Sequence, residues 1–406
     1  MYSLLRQKAA FHENGLIQFA FNMVSAPASN NFEEDLVGEI VLSTMESLDY
    51  DKVFKDSFGN IIGCIFGRDY SPTLLLVSHM DTMNSEASRS SIQAKIEDDL
   101  LYGYGASDSK GGLAAQVYAG RLLKECFPMY GNLIVVATVA EQGGCSIGIR
   151  HFLKSTLPSL GLKPSFAVLG EPTDLGLYYG DEGWVCIDVK ISGDDEKQIK
   201  DAAFELYTFL NKSYANTLPD NSEIEEVKIT KPGELSDKLS TTLQVMHRLR
   251  NKNEIFHLLY RLRETARFVC RSYRKLSVSA GICRKVIKRK DGIVMPVRQL
   301  SLPWKTDPLN SYFEEARLAL RSADCVVRGG TWHLGRLGMG TAGNVLTEMY
   351  SVPTIGYGPG SEIAAQGEGN YVSIENIKEA FYGTAVIAHR ITAVPSVTKP
   401  ENTFKS

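Results

Sequence analysis

The sequence predicts an α/β protein: a three-layer domain on a mixed sheet, interrupted by an inserted α+β module. Three observations predict it. Apolar runs at 73–77, 133–139 and 167–169 lack the alternation of a half-exposed strand and fit strands covered on both faces. These runs give way to Ser78-His79-Met80-Asp81, Glu141-Gln142 and Gly170-Glu171-Pro172-Thr173, with helical patterns between them. Polar residues at strand carboxyl ends place a site along that sheet edge. After Trp184 the pattern changes to alternation of Val185, Ile187, Val189 and Ile191, a strand with one polar face.

Taken in order, Leu36, Val37, Ile40, Val41 and Met45 stand at helical spacing over 33–48, after a turn-rich stretch. Phe58-Gly59-Asn60 marks a turn into the apolar strand 61–66. A helix over 108–123 opens on a glycine-containing turn. Within the module, read as 183–295, helices are expected around Ala202 to Leu210 and Phe256 to Phe268. A basic run from Cys283 follows, expected as a strand with one solvated face. The final third returns to a helix over 312–320 and a strand near 352–356 that delivers Gly358-Pro359-Gly360.

Composition narrows the partners. The chain has 406 residues, 44% hydrophobic and 22% charged, with a net charge of −3, which gives no electrostatic reason to bind nucleic acid or an anionic membrane. No apolar run approaches the ~18 residues of a membrane span, and the amino terminus carries no signal-peptide pattern. Seven scattered cysteines read as reduced thiols, so a cytoplasmic location is expected.

The chemistry sits at the strand ends. An imidazole and several carboxylates brought to one edge are what a zinc ion needs, because it takes nitrogen and carboxylate oxygen ligands. Asp81, two residues after His79, is placed to hold the second ring nitrogen and fix the tautomer. Each fragment is weak alone; their order and intervals together are specific. Other chemistries lack a pattern: no Gly-x-Ser-x-Gly elbow surrounds Ser146, and Gly103-x-Gly105 precedes an aspartate-headed helix rather than a dinucleotide turn.

In these residues the chain resembles the zinc amidohydrolases and peptidases related to succinyl-diaminopimelate desuccinylase, acetylornithine deacetylase, aminoacylase and glutamate carboxypeptidase. The resemblance runs from Gly59-Asn60 through His79, Asp108, Glu141 and Glu171 to Gly358-Pro359-Gly360 and Tyr371-Val372, and covers the module weakly. It implies a catalytic domain of 1–182 plus 296–406, with 183–295 as a lid through which such proteins often form homodimers. It also implies a small-molecule amide substrate. His79 and Glu171 would hold a first metal, Asp108 would bridge to a second, and Glu141 would be the general base.

Departures from the pattern cluster on the second metal. Gln142 and Gln366 stand where relatives carry its glutamate and histidine ligands, and an amide oxygen is a poor zinc ligand. One zinc is therefore expected, where typical relatives hold two. The lid histidine of relatives, which supports an oxyanion at about 10²–10³-fold in rate, is also missing after Gly193; His247 or His333 could substitute, although a single histidine in such surroundings is more often structural. Two readings follow: a single-metal hydrolase of a small N-acyl amino acid or peptide-like metabolite, or a catalytically degenerate relative that binds a metabolite or docks on a partner.

Overall fold

The computed structural model describes residues 2–26, 35–82, 94–141, 146–215, 224–226, 239–288, 294–333, 340–366 and 370–393. Among these residues, a nine-stranded mixed sheet runs in the order Lys52–Lys55, Ile61–Ile65, Asn132–Thr138, Thr73–His79, Phe166–Leu169, Thr354–Gly356, Leu177–Asp181 and Trp304–Lys305, with Gly329–Trp332 pairing Leu177–Asp181. The strand Thr73–His79 is parallel to both Asn132–Thr138 and Phe166–Leu169. Their carboxyl ends therefore meet at one edge, which gathers the residues that follow each strand.

The apolar runs are explained by what covers them. Leu74, Leu76, Val135 and Val168 face a cluster with Phe19, Leu113, Val117 and Phe381, from the helices Tyr2–Ser25, Gly111–Cys126 and Ile374–Ala388. Leu75, Val77, Ile134 and Ala167 face the opposite cluster, with Phe152, Leu153, Val345 and Leu346. Helical segments on both faces make three layers, so alternate strand residues are equally buried and the pattern loses its period of two.

Most expected elements lie within a few residues of their observed bounds, and the departures are local. The helix expected over 108–123 begins only at Gly111 and runs to Cys126; Asp108 lies in a wide π-type turn, Ala106–Lys110, ahead of it. The helices Tyr2–Ser25 and Ile374–Ala388 were not expected, although Leu5, Ala9, Leu16, Ala20 and Met23 carry helical spacing.

The inserted segment forms an antiparallel sheet in the order Ile224–Glu226, Leu239–Leu249, Gly183–Gly193 and Ser277–Ile282. The helices Glu196–Ala215 and Glu254–Cys270 cover one face, packing Leu206, Leu210, Leu258 and Leu262 on Val185, Ile187, Val189 and Ile191. Trp184, Cys186 and Cys283 belong instead to the cluster of the large sheet, beside Trp304 and Trp332. The basic run forms a two-stranded ribbon, Arg284–Lys288 with Val294–Arg298, in which Arg284, Lys285 and Val286 are exposed.

Candidate metal centre

His79 ends its strand with the ring held from two sides. Its amide donates to Ser109 Oγ at 2.8 Å, and ring Nδ1 lies 2.7 Å from the main-chain carbonyl of Asp81. A carbonyl only accepts, so Nδ1 carries a hydrogen and, in the neutral ring, Nε2 is the nitrogen with the lone pair. Nε2 lies 3.6 Å from Asp108 Oδ1 and 3.8 Å from Glu171 Oε2.

The expected role of Asp81 is corrected in its atoms. The turn of 79–81 brings its main-chain carbonyl over the ring, while its carboxylate stays 3.8 Å from Nδ1. That carboxylate instead accepts the amide of Glu141, at 3.0 and 3.2 Å. Asp81 thus ties the histidine turn to the next strand's end.

Glycines set the remaining geometry. Gly105, at φ 75°, opens the wide turn that presents Asp108. A Cβ at Gly360 would stand 1.8 Å from the Ser107 carbonyl oxygen, and one at Gly112 1.8 Å from that of Gly170. Gly358-Pro359-Gly360 thus presses on the turns bearing Asp108 and Glu171, and Thr173 Oγ1 receives the Gly358 amide at 3.0 Å.

His79, Asp108 and Glu171 are all buried, with one ligand atom of each within 4.8 Å of the others. Four donors around zinc at 2.0–2.2 Å stand about 3.4 Å apart. Separations of 3.6 and 3.8 Å, from one nitrogen to two carboxylates, fit that requirement. The electrostatics agree. Burial works against an imidazolium at His79, but Asp108 and Glu171 outweigh it and lift its pKa well above the ordinary value. Burial raises the Glu171 pKa, against the pull of His79 and with the push of Asp108. Three buried groups of this kind call for a cation or shared protons.

Glu141 follows Ala140, whose φ of 55° turns the chain into the site. Its Oε1 accepts from Ser146 Oγ at 2.6 Å, while buried Oε2 has no hydrogen-bond partner among the described residues. Burial, partly offset by Ser146, pushes its pKa up to about 7.

Gln142 lies outside the described residues, and Gln366 ends the short helix Glu362–Gln366 with its side chain outside the description. His247 is half-buried on Leu239–Leu249, opposite Val185. Exposed His333 is 3.7 Å from Glu182 and lines a cleft of about 400 Å³ with Asp181, Arg250 and Trp304. Sequence reasoning missed Asp181, a buried strand-end carboxylate whose Oδ2 accepts from Thr341 Oγ1 at 2.7 Å. Burial pushes its pKa up to about 8. Its signal was the one carried by Glu141 and Glu171, a carboxylate at the carboxyl end of a strand.

A mixed-sheet α/β core carrying a buried histidine–carboxylate cluster along one sheet edge defines a class of fold with a candidate metal centre. The chain belongs to peptidase family M20/M25/M40, whose sequence profile matches residues 75–390. It is 29% identical to the uncharacterized protein YgeY of Escherichia coli K12 over 198 residues, 47% of each chain. With carboxypeptidase G2 of Pseudomonas sp. strain RS-16 it shares 32% over 170 residues, 41% of this chain and 39% of that one. The chain thus spans about half the length of the curated relatives it matches, or less. A tripeptidase from Staphylococcus aureus has the same fold, with a TM-score of 0.67 at 16% identity over 92% of this chain and 97% of that one.

Proposed function

We propose that the protein hydrolyses an amide bond in a small N-acyl amino acid or peptide-like metabolite, using one zinc ion held by His79, Asp108 and Glu171. The observation that carries this reading is the convergence of those three buried side chains beside Glu141, whose Oε2 has no hydrogen-bond partner among the described residues. A bound cation supplies Lewis-acid polarisation of the scissile group. Glu141 takes a proton from the attacking water and returns it to the leaving nitrogen. A carboxyl held near neutrality can do both. Asp81 positions this base by holding its amide and the histidine by its carbonyl.

We assign 1–182 and 296–406 to the catalytic domain and 183–295 to a lid, in a cytoplasmic homodimer. The dimer is supported by Phe204, Phe256, Tyr260 and Phe268, large and exposed on the two helices of the insert. Among the described residues, no helix is long and apolar enough to cross a membrane.

The test is metal analysis of the purified protein together with turnover of N-acyl amino acids and dipeptides. About one zinc per chain at this site, removed by His79→Ala, and hydrolysis abolished by chelation are expected. Gln142 and Gln366, in place of second-metal ligands, favour the alternative of a binding protein. Retained metabolite binding without turnover at any metal loading would establish that alternative.

A further inference from the structure

Cys186 and Cys283 are far apart in sequence and come together on the face of the inserted sheet turned away from its two helices. We propose that Cys186, Cys283 and Asp188 form a second metal site, for a soft divalent cation of the zinc class, separate from the histidine–carboxylate cluster.

Their ligand atoms, two sulfurs and a carboxylate oxygen, lie within 4.8 Å of one another. Zinc bonded to sulfur at about 2.3 Å and to oxygen at 2.0–2.2 Å places such atoms roughly 3.5–3.8 Å apart, inside that span. The backbone holds both cysteines firmly. The Cys283 amide donates to the Cys186 carbonyl at 2.8 Å, the Cys186 amide to the Gln299 carbonyl at 3.0 Å, and the Gln299 amide to the Cys283 carbonyl at 2.9 Å.

A fourth residue is aimed at the ligands themselves. Gln244, opposite Asp188 in the adjacent strand, brings Nε2 to 3.2 Å from Cys283 Sγ and 3.0 Å from Asp188 Oδ1. One amide donating to a sulfur and a carboxylate orients metal ligands and favours their charged forms. Met246 pairs with Cys186 in the same register, so its thioether stands on the same face. The cysteines are buried while Asp188 is half-exposed, which leaves a way in for an ion. Thiolate ligands select zinc-like ions over magnesium or calcium.

The test titrates the full-length, reduced protein with Cd²⁺ alone and reads the sulfur-to-cadmium charge-transfer absorption. One equivalent is expected to produce the two-thiolate band. His79→Ala keeps it, because the histidine–carboxylate cluster contains no sulfur; failure of that cluster and failure of this site are therefore read separately. Cys283→Ser and Cys186→Ser should each abolish the two-thiolate band. Gln244→Leu and Asp188→Asn, which leave the buried sulfurs in place and test the site even if a cysteine variant misfolds, should weaken Cd²⁺ binding at least about 10-fold. The proposal is overturned if wild type shows no band, or if the band survives in the double cysteine variant. It is equally overturned if Gln244→Leu and Asp188→Asn both bind as wild type, or if the non-reduced protein joins Cys186 to Cys283 with the loss of two hydrogens.

Discussion

At the residue scale, the strand-end acids divide by environment. Glu141 is buried with one oxygen in a hydrogen bond and the other unpartnered among the described residues, which suits a group that must gain and lose a proton. Glu141→Gln should lower kcat by about 10²–10⁴-fold while zinc content stays at the wild-type level, read by steady-state kinetics beside metal analysis. Equal loss of zinc and rate would make Glu141 a ligand rather than a base. Asp181 gives a stability prediction. Its pKa rises from 3.8 to about 8 on burial, so the folded chain holds a proton there that the unfolded chain has released. That contribution is complete below the unfolded value and is lost as pH rises through the folded one. In metal-free protein, Asp181→Asn should therefore gain stability relative to wild type between about pH 5 and pH 8, seen as a growing difference in urea midpoints. A difference that does not change with pH would refute the assignment.

Close backbone approaches decide the geometry at the scale of elements. The helix Gly111–Cys126 can lie against the strand end at Gly170 because Gly112 has no Cβ. Gly112→Ala meets a carbonyl oxygen rather than a yielding side chain, so it should cost about 1–3 kcal/mol or more and weaken zinc binding by displacing Glu171. Gly281→Ala is the control, since nothing lies within 4 Å of its added methyl and no loss of zinc affinity is expected. Thermal melts and zinc titrations of the two variants check both. The elements themselves were legible to different degrees. Thr73–His79 announced itself because both its faces are covered, whereas Leu239–Leu249 and Ser277–Ile282 did not, being mixed in polarity on the face without helices. Helices that bury small or mixed side chains, such as Tyr2–Ser25, are equally quiet in sequence.

For the whole molecule, ion binding and folding are linked. A cation that binds only the folded chain stabilises it by about 2.7 kcal/mol at one hundred times its Kd, so zinc should raise Tm and a chelator should lower it. His79→Ala should reduce that zinc-dependent rise, measured by calorimetry. Association belongs to this scale too. If the exposed aromatics of the insert bind a second copy, light scattering should give about twice the 44.8 kDa chain mass. Phe256→Ser with Tyr260→Ser should then return the monomer without loss of fold.

The sequence by itself determined the layered α/β architecture and marked His79, Glu141 and Glu171 after their strands and Asp108 before its helix as candidates, because burial on both faces and polar residues at element ends are written in local order. It did not determine which atoms meet. That the carbonyl of Asp81 rather than its carboxylate faces the ring, that Asp181 is buried, and that Cys186 lies beside Cys283 depend on chain direction, sheet register and close packing. Periodicity specifies the face a side chain occupies; only the tertiary structure supplies its neighbour.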